Sequence, residues 1–259
     1  MAGILDILGS IRRPQLPPGQ VRPSLDVTIR PPEGIDDPGA AETREERLEL
    51  GRRFREYMAS LEQETDTRKF LWENEYHPKF SKSFHIPSPT SGLTVGAGYD
   101  TKKRQAGQVY ADLIDAGAKE DTARAIADGA GLRGKKARAY ADANAGRVSL
   151  TQEQIMKLFD IDVPRHEARL EKNLKAAGYD LKKLSPQQRA LYLDYEVNTG
   201  NVLKEFPEFS KALGSNDFEK ALKQYKRFTK NKEGQWVPLG QRNARTEEYL
   251  KAMLAKSKK

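Results

Sequence analysis

Apolar residues recur along most of this chain at helical spacing, interrupted once by a stretch punctuated with proline and glycine. Thr43 and Glu46 form a capping-box pattern, and Leu50, Phe54, Tyr57 or Met58 and Leu61 follow at helical intervals with charged residues between them. This predicts an amphipathic helix that leans on a neighbour. A second helix is predicted from Thr67 to about Tyr76, carrying Phe70, Leu71 and Trp72. Pro78, Pro87 and Pro89 then hold the chain out of helix, and the section from Phe84 to Tyr99 is the one good hairpin candidate. From Gly107 onward helix follows helix. Val109, Leu113 and Ile114 lead to a C-cap at Gly117, Ala123–Ala130 ends at Gly131, and Ala137–Ala143 stops before Gly146. Thr151 and Gln154 cap a helix holding Ile155, Leu158 and Phe159, and a new segment is expected past Pro164, running to Leu174. Ser185-Pro186-Gln187-Gln188 combines an N-cap with proline at the first helical position, so a helix carrying Leu191, Tyr192 and Tyr195 into the core should start there. Phe218–Phe228 reads as another amphipathic helix, and Arg242 to about Leu254 closes the chain. The fold class expected is α+β, predominantly α, with a small β-hairpin lobe and a larger helical lobe.

Half of the 14 prolines fall before residue 39, mixed with Gly and Asp. Such a segment cannot bury enough surface to fold alone. The organisation expected is therefore a flexible arm over residues 1–42, a helical connector or docking helix over 43–64, and a folded domain over 65–259.

Composition narrows the chemistry. There is no Cys, which removes disulfides, thiolate metal sites and thiol catalysis. The three His residues, His77, His85 and His166, stand in no metal-ligand spacing, so neither a metal nor a cofactor is expected. No apolar run approaches the roughly 18 residues of a membrane span. The opening Met1–Gly9 lacks a basic region and carries Asp6, so it is not read as a signal peptide. The net charge of +8 draws the protein to polyanions such as nucleic acid, anionic lipid or a bacterial wall. Its Lys and Arg are dispersed, as solvated helix faces would have them, which gives no footprint for specific nucleic-acid binding.

The candidate chemistry lies between Glu73 and Asp100. Glu73 and Glu75 end the aromatic helix, and Ser91-Gly-Leu-Thr-Val-Gly-Ala-Gly-Tyr-Asp100 follows. An acid at a helix end facing a hairpin that bears a hydroxyl and a second acid suits cleavage of a glycosidic bond, which needs a proton donor for the leaving oxygen and a carboxylate on the opposite side of the sugar. Gly96 and Gly98 are read as hairpin bends that let a glycan approach, because no Lys-Ser/Thr follows them to make a phosphate loop. Trp236 could stack on sugar or pack the lobe, and packing is the expectation.

These elements, taken in order, resemble the phage-type (T4-like) lysozyme superfamily, closest to the pesticin-like muramidases. The segment from Ser91 to Asp100 is similar to that family's Gly-x-Thr-Ile-Gly-x-Gly signature, with Asp100 six residues after Thr94 as in the pesticin-like variant. His85-Ile86-Pro87 stands where those toxins often have an aromatic-aliphatic-Pro triplet. Leu150-Thr151-x-Glu153-Gln154 with Leu158-Phe159 and Asp162-Val163, Tyr195-x-x-Asn198-Thr199-Gly200, and Leu239-Gly240-Gln241-Arg242-x-x-Arg245-x-Glu247 resemble later family elements. The likeness spans about residues 65–255. Glu-Asn or Glu-Tyr replaces the family's usual Glu-Gly, and Asn243 stands where a second adjacent Arg is common.

The resemblance implies a muramidase that cuts the β-1,4 bond between N-acetylmuramic acid and N-acetylglucosamine without metal or cofactor. It makes Glu75 the general acid, since Phe70 and Leu71 precede it at the family's spacing, with Glu73 the alternative. It gives Thr94 and Asp100 the holding or activation of the attacking water, which implies inversion. Asn198 either hydrogen-bonds a sugar or caps the chain before Gly200. The partner implied is peptidoglycan, met by a monomer made in the cytoplasm and acting on the wall in the periplasm. The arm reads as a tether to a virion or secretion machine, and an inhibitor or immunity protein is compatible with this picture. The rival readings are a glycosidase on a chitosan-like polymer and a structural module of a virion or injection machine that binds glycan without cutting it.

Overall fold

The computed structural model describes residues 52, 66–88, 91–180, 183–231 and 234–258. The expected arm over 1–42 and connector over 43–64 lie outside the described residues, apart from Arg52. The rest is α+β and predominantly α: ten helices and two short antiparallel hairpins among the described residues.

Helix α1, Asp66–Glu75, sends Phe70, Leu71 and Trp72 into the core, each no more than 2 % exposed. Trp72 stacks on Tyr76 at 4.7 Å and meets the edge of Phe159 at 5.1 Å, which fixes the end of α1 against the long helix described below. Strands β1, Thr94–Val95, and β2, Tyr99–Asp100, pair Thr94 with Asp100 and Val95 with Tyr99. The ordered hairpin is shorter than the expected Phe84–Tyr99, and His85 joins it through an isolated antiparallel bridge to Thr94. Behind it a small apolar cluster of Leu93, Ala137 and Ala141, flanked by Phe84, Ile86, Leu132 and Tyr140, makes the core of the hairpin lobe.

Helices α2 (Ala106–Asp115), α3 (Glu120–Ala127) and α4 (Gly134–Asn144) follow, the last leading into a 3-10 turn. Helix α5 runs unbroken from Gln152 to Ala176 with Pro164 inside it, and no new segment begins at the proline as expected. Proline removes one backbone hydrogen bond at a typical cost of ~3 kcal/mol. The two halves are held in line by burial on both sides of it, through Ile155, Leu158 and Phe159 before and Leu170 and Leu174 after. Tertiary packing outweighs the local penalty.

Helix α6, Pro186–Thr199, has the predicted capping box at Ser185 and Gln188 and ends at a left-handed Gly200. It is the central helix: α1, α5, α7 (Val202–Glu205), α8 (Pro207–Gly214) and the closing helix all pack on it, and Tyr192 and Tyr195 are fully buried as predicted. Helix α9 spans only Phe218–Gln224. Tyr225–Arg227, expected to extend it, lie outside the helix, and Phe228 opens a second hairpin, β3 (Phe228–Lys230) with β4 (Trp236–Pro238), before α10, Gly240–Ser257. Trp236 is 66 % exposed there rather than packed, with the Lys230 ammonium 5.2 Å from its ring centre.

Candidate active site

The first hairpin sorts its side chains by parity. Leu93, Val95 and Tyr99 face the interior and are no more than 1 % exposed. Alternation sends Gly92, Thr94 and Asp100 to the other face. His85 and Thr94 exchange both backbone hydrogen bonds, at 2.9 and 3.0 Å, so they are a directly opposed pair. Thr94 is opposed to Asp100 on its other side, while the bond in that ladder runs from Thr101 N–H to Leu93 O. Opposed residues share a face, with Cα atoms about 5.5 Å apart in the bonded pair and about 4.5 Å in the other. His85, Thr94 and Asp100 therefore form one row.

Glu75 meets this face from the end of α1. A Cβ placed on Gly98 would stand 2.7 Å from Glu75 Oε2, so the carboxylate lies directly on that glycine, whose φ of +83° also suits a residue without a side chain. The other oxygen, Oε1, accepts a hydrogen bond from Arg242 near the start of α10. Glu75 is 16 % exposed in its side chain, whereas Glu73 is exposed, and its backbone carbonyl accepts from Arg245.

The end of α1 is held by a buried ionic hub that sequence reasoning missed. Asp194 on α6 is fully buried and pairs at 2.6 Å with Arg227, itself 1 % exposed and lying 3.9 Å over the Tyr195 ring. Asn74 donates to Asp194 at 3.1 Å, and Arg242 Nε stands 3.6 Å from it. Burial works against the charge on Arg242, but Glu75 and Asp194 more than offset it and raise its pKa. Arg245 adds a 2.9 Å bond to Asn74 Oδ1. The Arg-bearing segment Leu239–Glu247 was the available signal.

A cleft of about 290 Å³ opens beside Asp100. Its lining includes Gly98, Asp100, Lys103, Arg165, Asn198 and Gly200. Asp100 and Asn198 thus share one cleft. Glu75 and Thr94 do not line it, and Glu75 reaches its edge through Gly98. Asp100 is tied down locally, accepting from Lys102 N–H at 2.8 Å and pairing with the Lys102 ammonium at 3.0 Å.

The arginines that line the cleft are neutralised by carboxylates. Arg104 bridges both oxygens of Asp162 at 2.6 and 2.8 Å while lying 4.1 Å over Tyr99, Arg165 reaches Asp112 at 2.6 Å, and Arg169 reaches Glu196 at 2.6 Å. Burial opposes the charge on Asp162, but bonds from His166 and Arg104 outweigh it and hold its carboxyl below the usual range. These pairs stiffen that part of the lining. Exposed Lys103 lies at the rim, its Nζ 3.9 Å from where a Gly200 side chain would begin.

Such an arrangement can place a proton donor and a water-holding carboxylate on a polymer lying in an open groove. Among the described residues no group of three or more His, Asp or Glu side chains could hold a metal ion, and no helix is long and apolar enough to cross a membrane. Residues 70–227 match the family described as Domain of unknown function (DUF8812), and the chain belongs to it. That match contains Glu75, the whole first hairpin and Asn198, and it stops short of the second hairpin and α10. No curated protein matches the chain.

Proposed function

We propose that this protein is a peptidoglycan muramidase of the lysozyme type, hydrolysing the β-1,4 bond between N-acetylmuramic acid and N-acetylglucosamine. One observation carries the reading: the Glu75 carboxylate rests on the hairpin face that bears Thr94 and Asp100, beside a cleft to which Asn198 contributes. With Oε1 held by Arg242, Oε2 is the oxygen that delivers a proton to the glycosidic oxygen. Asp100 and Thr94 hold the water that attacks the anomeric carbon, and Asp100 takes its proton, which gives inversion when the carboxyl groups stand roughly 6.5–9.5 Å apart. Asn198 and Lys103 meet the sugar amide and the carboxylates of the wall. The net charge of +8 favours this anionic polymer over a neutral one.

A second reading rests on the ion pairs. Both acids are matched to cations, Glu75 to Arg242 and Asp100 to Lys102, as a glycan-binding module of a virion or injection machine would also allow. Digestion of purified peptidoglycan, with mass spectrometry of what is released, separates the two. Reducing-end muramic acid fragments are expected from the wild type and none from Glu75→Gln at equal folding. Wall that stays intact but retains the wild-type protein would establish the binding module instead.

A further inference from the structure

Strand β2 has two residues, Tyr99 and Asp100. So short a hairpin is marginal on its own, and a base at its end needs support from elsewhere in the fold. The Asp100 carboxylate is tied to Lys102, which belongs to the same segment. Support from outside that segment comes through Arg104. Its Nε–H donates to the Asp100 carbonyl at 2.9 Å, while its terminal nitrogen reaches both oxygens of Asp162 on α5 at 2.6 and 2.8 Å. The same guanidinium lies 4.1 Å from the centre of the Tyr99 ring. The Tyr99 hydroxyl donates to Asp112 on α2 at 2.7 Å, and Asp112 is held in turn by Arg165 on α5 at 2.6 Å. Asp162 and Arg165 stand three residues apart and so share one side of α5. One turn of that helix thus holds both residues of β2, Asp100 through Arg104 and Tyr99 through Asp112. Pro164 lies within this turn, and the unbroken helix keeps the two anchors together. The side chains of Arg104 and Asp162 are only 14 % and 8 % exposed, and a charge-assisted pair so withdrawn from water is costly to separate.

We infer that Arg104 is a positioning residue for Asp100, fixing the main chain of the proposed base to α5. The inference rests on the muramidase reading, in which Asp100 takes the proton of the attacking water. Arg104 makes and breaks no bond of the substrate. It holds the carbonyl of Asp100 while Lys102 holds the carboxylate, so the base is fixed at both ends. Arginine is required for this, because the two tasks use different nitrogens of one rigid plane, Nε for the carbonyl and the terminal nitrogen for Asp162. Lysine in its place keeps a charge for Asp162, but its single nitrogen cannot span both partners.

The test compares wild type, Arg104→Lys and Arg104→Ala in the full chain on soluble, uncross-linked peptidoglycan strands, at a temperature well below all three melting points. Arg104→Lys should lower kcat by roughly 10- to 100-fold and leave KM near its wild-type value, because the cleft still takes the glycan while its base is displaced. Arg104→Ala should lower kcat at least as far and Tm further. A folded Arg104→Lys protein with the wild-type kcat would make the pair with Asp162 merely structural, and it overturns the inference while leaving the muramidase reading standing. A raised KM at unchanged kcat also overturns it, since Arg104 would then be a glycan contact. A wild type that releases no fragments overturns both. Should Arg104→Lys fail to fold, Asp162→Asn decides: it keeps Arg104 and removes its anchor, so kcat should fall with KM retained, and an unchanged kcat overturns the inference.

Discussion

Gly98→Ala tests the site without removing any group that does chemistry. The new methyl would stand 2.7 Å from Glu75 Oε2, 3.0 Å from Cδ and 3.1 Å from Cγ, so the carboxylate has to move. A free Glu would swing aside cheaply, but here Oε1 is bonded to Arg242 and the movement breaks or bends that bond. The backbone adds a second cost, because an L-residue in the left-handed region loses about 1–2 kcal/mol. For a domain of this size that corresponds to a fall in Tm of about 2–8 °C. If Glu75 is the acid, as proposed, displacing it by about 1 Å should lower kcat by roughly 100-fold.

Gly96→Ala is the control. Gly96 has φ +60°, so the backbone cost is similar, but its methyl would meet Leu158 Cδ2 at 3.3 Å and Ile155 Cγ2 at 3.9 Å and nothing of the site. Thermal melts should show comparable losses for the two variants, while wall digestion falls steeply only for Gly98→Ala. Equal losses of activity in both, or a Gly98→Ala protein as active as wild type, would refute the placement of Glu75 as the acid.

Three other perturbations follow from the buried charges and the second hairpin. Asp194→Asn leaves the Arg227 guanidinium buried without its anion, and urea unfolding should show a loss of about 3–5 kcal/mol; a loss below about 1 kcal/mol would mean that the hub contributes little. Asp162 has its pKa depressed on folding, so its stabilisation is present above the unfolded value of about 3.9 and is lost as pH falls through the folded value. The Tm gap between wild type and Asp162→Asn should accordingly be wide at pH 6 and close towards pH 2, and a constant gap would count against this. Trp236→Ala removes a side chain that is mostly in solvent, so Tm should move by no more than the ordinary surface scatter of about 0.5 kcal/mol allows; a large drop would restore the packed role expected from the sequence.

What was legible in the sequence was local. Capping boxes at Thr151 and Ser185 put their helices where predicted, because an N-cap hydroxyl and a Gln three residues later satisfy each other whatever lies beyond. The aromatic run Phe70–Trp72 declared its burial by composition, and the glycines at 96 and 98 declared a bend. What failed depended on partners distant in sequence. Pro164 signals a break, yet the helix continues because residues on both sides of it are buried in the same core. The strand beginning at Phe228 follows an amphipathic helix with no turn signal between them, and its hairpin leaves Trp236 in solvent. Asp194 and Arg227 are indistinguishable in sequence from surface charges, and only the fold brings them within 2.6 Å.

The same distinction explains how the candidate site is assembled. Thr94 and Asp100 need only a two-residue register to stand side by side, so a short motif can specify them. Glu75 has no such local means of placement: it ends a helix, and helix ends fray. Its position is set instead by contacts that span more than a hundred residues, from Asn74 to Asp194 and from Arg242 and Arg245 back to α1. Fixing a mobile carboxylate to within the tolerance of proton transfer calls for a rigid support, and buried charge pairs supply one because each partner is costly to leave alone. Arg227 immediately precedes the second hairpin and Arg242 stands just past its end, so that hairpin is anchored in the hub that holds the proposed acid. Changes in its length should therefore alter the rate of wall cleavage more than they alter the affinity for the wall.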